Sequence, residues 1–505
     1  MRQAFLDNEP LEASGRDACS GATANDDFRF LRLLYEVHPK RIAQRREETD
    51  LNRWYPLAKG GEHSRFYSDL YLVVDWGANG RAVKAHIADY RGRRGWGYQW
   101  SAALNGHANY FRPGLTWSRR SQTGLSLRAM PEGGLFGDKG PAVFVPNDNS
   151  EDLLFLLGVT NSQPFRDLVE VQMAFGSYEV GVLERSPLPS VHPAERAALT
   201  TLVRRAWSLK RNLDTPTETS HVFTLPALLQ VHGSTLSSRA AVWREHVDKV
   251  LAELASIQSE IDERCFHFYG LEEADRVAIG EGLVTGIGRA TESEQEVESD
   301  AETDPDTVTA RLAEEVVSWV VGVAFGRFDL RLATGERAMP IESKPFEPLP
   351  ISASGALTDF DDLHAHYALP IPTTGILVDD PGHPRDLNAA VRAVFDMVFG
   401  ASADAWWSEA GALLNTNEHG LRSWLASSFF EHHLKHHSRS RRKAPILWQS
   451  SGLVARRCRP TLPMRGYQER TLWRRMPPSP MKQPHVHAEQ ARCYASQSDT
   501  PASRY

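Results

Sequence analysis

Lysine and arginine interleaved with glycine and aromatic residues are the groups in this chain best suited to chemistry with a partner, and they crowd between Trp54 and Arg128. The segment opens Trp54-Tyr55-Pro56-Leu57-Ala58-Lys59-Gly60-Gly61-Glu62 and runs on to Phe111-Arg112-Pro113-Gly114-Leu115-Thr116-Trp117-Ser118. An ammonium or guanidinium can meet a phosphate, and an arginine fork matches the two acceptors on a guanine edge. Lys59, Arg65, Arg81, Lys84, Arg91, Arg93, Arg94, Arg112, Arg119, Arg120 and Arg128 are the candidates. Gly60 and Gly61, lacking a Cβ, would let the backbone approach such a partner closely. Together they describe a surface for duplex DNA. The same residues also fit a β-rich core with Trp and Tyr packed inward and Arg merely solvated, and composition alone favours that plainer account.

The elements that must position these groups follow from periodicity. Residues up to about Gly15 read as an irregular lead-in, and Phe28 to Val37 delivers the chain into the basic segment. Tyr71-Leu72-Val73-Val74-Asp75-Trp76 is β-branched and aromatic enough for a strand, with a turn at Gly77-Ala78-Asn79-Gly80. Ala142 to Val145 predicts a second strand, Leu153 to Asn161 a helix capped near Asn149 or Ser150, and Phe175 to Leu183 a third strand. Residues 1–190 are thus expected to form an α+β unit with a mixed sheet. Helical spacing then takes over in Glu195–Asn212 and Ser238–Phe268, with Gly270 as terminator, so 191–280 reads as a helical spacer. That spacer could dock partners or pack on its own chain.

Glu281 to Asp306 alternates acids with small polar residues, a pattern of a flexible linker over 281–310. Residues 311–450 are expected to be mostly helical. Gly322 there would permit close packing, and Arg327 could pair with a carboxylate or a phosphate, the carboxylate being preferred. The histidines at 432, 433, 436 and 437 are clustered without a Cys or acid at ligand spacing, so a zinc site is not favoured. Residues 451–505 lose all period and are expected to be a disordered or frameshifted tail.

Several phrases, in order, resemble the target-recognition region of adenine-specific DNA methyltransferases, above all the fused type IIG restriction-modification enzymes and the large methyltransferase of BREX phage-defence systems. They are Gly21 to Arg32, Tyr55 to Gly61, Gly114-Leu115-Thr116-Trp117-Ser118, Leu156-Leu157-Gly158-Val159-Thr160-Asn161-Ser162, Gly176 to Gly181, Phe268-Tyr269-Gly270-Leu271, and Phe429 to Ile446. The resemblance implies that the chain reads duplex DNA. It adds Thr116 and Trp117 to the DNA-binding candidates, and Arg441, Arg442 and Lys443 as phosphate contacts. It also implies S-adenosyl-L-methionine as cofactor of the family's complete enzyme.

The family's catalytic words are not found. Asn-Pro-Pro-Tyr or Asp-Pro-Pro-Tyr, which holds a flipped adenine, has no counterpart, and Met476-Pro477-Pro478-Ser479 lacks both amide and ring. Gly286-Ile287-Gly288 has no convincing strand before it. The chain is therefore expected to be the recognition half, with no cofactor of its own and a separate or missing methyltransferase domain as partner. The alternative is a truncated remnant or a subunit that docks other defence proteins.

Composition is compatible with either. The 505 residues are 41% hydrophobic and 24% charged, as in a globular protein with ample core. A net charge of −7 excludes a uniformly basic coat but leaves room for a local basic face. The apolar run Val316 to Phe325 is too short to span a bilayer. Cys19, Cys265, Cys458 and Cys493 are too dispersed for a zinc knuckle and read as free thiols of a cytoplasmic protein.

Overall fold

In the computed structural model the described residues are 2–46, 53–173, 177–272, 275, 304–357, 367–372, 375–416, 420–438 and 449–452. The expected acidic linker lies outside them up to residue 303, as do Gly286-Ile287-Gly288 and the tail from 453 onward.

The fold is α+β, with mixed pairing in one of its sheets. Helix α1 (Arg2–Asp7) and strand β1 (Glu9–Pro10) open the chain. They replace the expected irregular lead-in. Then come β2 (Asp17–Cys19), α2 (Asp27–Phe30), β3 (Leu31–Leu33), β4 (Trp54–Ala58), β5 (Leu72–Asp75) and α3 (Gly77–Arg93). Next are β6 (Gly114–Trp117), β7 (Leu127–Met130), β8 (Leu135–Phe136) and β9 (Ala142–Phe144). Two four-stranded sheets result, ordered β2-β9-β6-β7 and β3-β5-β4-β8. Strand β4 runs antiparallel to β5 and parallel to β8, where Leu57 faces Leu135 and Ala58 faces Phe136.

The first sheet is buried on both sides, and the period of two decides which side each residue serves. Leu115, Trp117, Leu127, Ala129 and Val143 enter a cluster with the following helices. Met130, Ala142 and Phe144 enter the cluster built with the second sheet, which also takes Tyr55, Leu57 and Val74.

Helix α3 was hidden from periodicity. The expected turn is present, with Ala78, Asn79 and Gly80 all left-handed (φ 48°, 55° and 71°), and Gly80 N donates to Trp76 O at 2.9 Å. Beyond it the chain stays helical to Arg93, held by Val83 and Ile87 at an i, i+4 spacing against the second sheet. Two apolar residues in so polar a stretch are a weak periodic signal.

Helices α4 (Ser150–Asn161) and α5 (Gln163–Glu170) follow, then α6 (Val180–Arg185), β10 (Pro187–Leu188) and α7 (Pro193–Leu213). The Asn149 side chain caps α4 by accepting from Asp152 N at 3.0 Å. Gly158 lets α4 and α7 close up, since a methyl there would lie 2.7 Å from Val203. Asn161, buried at the end of α4, exchanges two hydrogen bonds with the Leu127 backbone (2.9 and 2.8 Å) and so fastens α4 to β7. The strand expected over Phe175–Leu183 is corrected: from Val180 the chain is the helix α6, whose Val182 and Leu183 are buried. Strand β10 pairs with β1 and ties the start of the chain to this point.

Helices α8 (Ala227–Gln230) and α9 (Leu236–Phe268) lead into the helical region. Gly270 ends α9 with φ +61°, as expected. The 33 residues of α9 span roughly 50 Å. Val250, Leu254, Ile257, Ile261 and Cys265 join the cluster of α4 and α7, while Leu236, Ala240 and Trp243 join a third cluster around the helix Pro305–Ala324. Along these residues the helix packs on its own chain. The third cluster also takes helices Leu387–Phe399, Ala403–Leu413, Leu421–Ser427 and Phe429–His437, and Ile376–Asp379 pairs in parallel with Gln449–Gly452.

Candidate nucleic-acid interface

Three cation-bearing segments meet at the carbonyl of Lys139. Gly60 passes so close that a Cβ on it would lie 2.7 Å from that oxygen, and its φ of +74° also demands glycine. Arg119 N donates to the same oxygen at 3.1 Å. Gly137 N donates to Ala58 O at 2.8 Å, and a methyl on Gly140 would fall 2.3 Å from Gly60 N. The loops 58–62 and 137–141 are therefore pressed backbone to backbone, which only their glycines allow. Lys139 is exposed at this junction, and sequence reasoning did not single it out. The signal it left was its place in Gly137-Asp138-Lys139-Gly140, a second glycine-bracketed lysine.

Arg128 fixes the junction from beneath. It is 2% exposed, opposite Thr116 in the β6–β7 register. Its Nη1 donates to Glu62 O and its Nη2 to Ser118 Oγ, both at 2.8 Å, and Ser118 Oγ donates to Gly61 O at 2.8 Å. Burial draws its guanidinium down to about 10, still charged at neutral pH. Three of the residues expected to contact DNA are buried, with their polar groups engaged inside the protein. Arg128 spends its donors on the loop backbone. Thr116 is buried and donates to Pro141 O at 2.9 Å. Trp117 is fully buried, its indole N–H donating to Tyr178 O at 2.9 Å.

The remaining candidates divide by what they face. Lys59 reaches both oxygens of Asp27 at 2.6 Å. Arg119 grips Glu179 and Arg112 grips Asp148, each at 2.8 Å, with Arg112 also donating to Asn109 Oδ1 and Val145 O. Arg120 is exposed. Arg65 is half-buried; burial raises the carboxyl of Asp262 in α9, and hydrogen bonds from Gln163 and Gln258 and the charges of Arg166 and Arg65 oppose that rise. Arg441, Arg442 and Lys443 lie outside the described residues.

Arg93 and Arg94 sit at the far end of α3, both exposed. A run of rings and cations links them to the loop junction. Asp27, the partner of Lys59, is in α2 with Arg29; Arg29 Nη1 is 3.3 Å from His86 Nδ1. His86 packs on Phe30 and Tyr90, and the Arg94 guanidinium lies over Tyr90 (4.7 Å) and Trp96 (5.1 Å). The tip beyond is Arg93-Arg94-Gly95-Trp96-Gly97-Tyr98, in which Trp96 is 55% and Tyr98 73% exposed. Neither ring was a candidate from sequence, because an aromatic near Gly residues does not reveal whether it points in or out.

Homologues of the chain are adenine-specific methyltransferases. It is 24% identical over 460 residues to adenine-specific methyltransferase PglX of Lacticaseibacillus casei (strain Zhang), covering 86% of this chain and 33% of that protein. It is 22% identical over 415 residues to adenine-specific methyltransferase BrxX of Escherichia coli O9:H4 (strain HS), covering 79% and 31% respectively. The chain thus spans about a third of the length of these curated relatives. No family model matches it.

The relatives' names imply S-adenosyl-methionine, which needs an enclosed pocket with free acceptors for its ribose. A cavity of about 110 Å³ lies between residues 34–42, 218–220 and 325–328. Its walls include Leu34, Val37, Ile42, Phe325 and Phe328. The carboxylate lining it, Glu218, has one oxygen on Arg327 (2.8 Å) and the other on Ser318 (2.9 Å), so a ribose would find that acceptor taken. Among the described residues there is also no group of three or more His, Cys, Asp or Glu arranged to hold a metal ion. His437 instead donates from Nδ1 to His433 O (3.2 Å), leaving Nε2 to accept from Arg327 at 3.0 Å. No helix among the described residues is long and apolar enough to cross a membrane.

Proposed function

We propose that this chain binds duplex DNA and supplies sequence recognition for adenine-specific methylation in a restriction-modification or phage-defence system, with methyl transfer carried out by a domain outside it. The observation that carries the reading is the convergence of Lys59, Arg119–Arg120 and Lys139 on one glycine-built junction. Backbone held that rigidly presents cations at fixed spacing, which is what reading a regular array of phosphates requires. The carboxylates now facing Lys59 and Arg119 are themselves solvated, so phosphate oxygens can replace them at small cost. The two relatives named as adenine-specific methyltransferases supply the chemical context. In this reading Arg128 shapes the loop, and the double helix meets Lys59, Gly60, Gly61, Arg93, Arg94, Arg112, Arg119 and Arg120.

The test is binding of the full chain to random-sequence duplexes over a salt series, with Lys59→Ala and Arg120→Ala alongside. Removing one phosphate-bound cation should flatten the log–log salt slope by about one. Equally negligible binding by all three proteins at low salt overturns the reading. Deletion in the host followed by comparison of adenine methylation across the genome then asks whether the recognised site is a methylated one.

A further inference from the structure

The end of α3 carries two large aromatic rings that stand outside the core. Trp96 and Tyr98 stand mostly in solvent, two residues apart, on a strand of chain narrowed by glycines. Gly95 and Gly97 have φ of +72° and +77°, and nothing lies within 4 Å of where their side chains would be. The rings are nonetheless held in place. Arg91 Nη2 donates to Trp96 O at 2.9 Å, the Arg94 guanidinium covers Trp96, and Tyr98 lies so close over Gly92 that a methyl there would be 2.2 Å from its Cε1. Five cationic side chains and one carboxylate occupy residues 77–100, in a chain whose net charge is −7.

Exposed, pre-positioned rings on a local cationic ridge suit a polyanion that also offers flat apolar faces. Nucleic acid has both, and ring-on-base stacking does not need a particular sequence. A lipid surface would want a helix with one apolar face, whereas the buried residues of α3, Val83 and Ile87, are already spent on the second sheet. We propose that Trp96 and Tyr98 form a base-stacking wedge, seated by Arg93 and Arg94 on flanking phosphates, which engages bases that have left the helical stack. The proposal rests on the DNA-binding reading above and adds to it a preference for locally unstacked duplex. Arg29, His86 and Tyr90 form a run of contacts between the wedge and the Lys59 junction.

The experiment compares affinities of the full chain for a continuous duplex and for the same duplex carrying a single unpaired base. The wild-type protein should favour the interrupted duplex by about tenfold, the range of one stacked base. Trp96→Ala with Tyr98→Ala should bring the ratio to about one, and Trp96→Phe with Tyr98→Phe should restore most of it. Arg93→Ala, which leaves Arg94 over Trp96, should weaken both duplexes while keeping the ratio. These side chains are exposed, so circular dichroism serves as the folding control. A ratio that is one in the wild type, or unchanged by the alanine pair, overturns the wedge while leaving DNA binding intact. Failure to bind either duplex at low salt overturns the DNA-binding reading itself. Binding to anionic vesicles that the alanine pair abolishes, with the duplex ratio untouched, overturns the wedge in favour of a lipid partner.

Discussion

The loop junction of the two-sheet region and the surroundings of Glu218 and Asp329 in the helical region both pair arginine or lysine with carboxylates, yet these pairs differ in what surrounds the acid. In the helical region Arg327 meets Glu218, whose side chain is 5% exposed, and Arg331 and Arg337 meet Asp329, which is 1% exposed. In the two-sheet region Lys59 meets Asp27 at 52% and Arg119 meets Glu179 at 45% exposure. An acid withdrawn from water must keep its cation, because a stranded buried charge is costly. An acid in water can release its cation to another anion for little. The first kind of pair holds a fold together and the second leaves a cation available, although the residue types are identical.

That contrast can be broken most forcefully at Glu218. Changing Glu218→Gln leaves Arg327 buried without its counter-charge and should cost about 3–5 kcal/mol of stability, read as a lowered denaturant midpoint. Recovery of full stability in that variant would mean that the buried pair does not hold the region.

Acid should attack the same place. Burial first, and then the facing Arg327, hold His437 down to about 4 from its ordinary 6.5, although Glu218 opposes this. Unfolded, the imidazole takes its proton near 6.5; folded, only near 4. Between those values the unfolded chain binds the extra proton, so stability is complete above about 6.5 and drains away as pH falls toward 4, by on the order of 3 kcal/mol. Burial also opposes the charge of Glu218, but Arg327 and His437 outweigh it and keep the carboxyl well below its usual range, which extends the loss to lower pH. Chemical denaturation at pH 7, 5.5 and 4.5 measures this, and His437→Asn should flatten the upper part of the profile.

The smallest effect is expected at the pairs whose acid is exposed. Lys59→Ala or Arg119→Ala should change stability by no more than about 1 kcal/mol. Thermal melts check it; a loss comparable to that of Glu218→Gln would place these residues with the buried pairs and remove the distinction.

Much of the helical region was legible from the residues. The apolar stripe of Ser238–Phe268, the cap at Asn149, the terminator Gly270 and the acid partner of Arg327 all appear in the fold. Gly322 packs as expected, with Phe328 2.5 Å from where its Cβ would be. These succeed because each depends on neighbours within a turn or two, or on a burial that forces pairing. The two-sheet region was harder. Arg128 lies between Leu127 and Ala129 in a strand buried on both faces, so alternation could not reveal that its guanidinium points inward. The convergence of residues 59, 119 and 139 is a property of three loops far apart in the chain, invisible until the strands are registered. Helix α6 was read as a strand because Tyr178, Val180 and Val182 alternate with Ser177, Glu179 and Gly181.

Helix α9 carries a consequence for how the molecule comes apart. One end is mortised into the cluster of α4 and α7 and the other into that of the helix Pro305–Ala324, without a break in its hydrogen-bonded ladder. Melting either cluster strips apolar surface from the same continuous rod, so loosening spreads along it into the other. A protease cut near its middle, around Val247, would sever a crossbeam and disturb both halves.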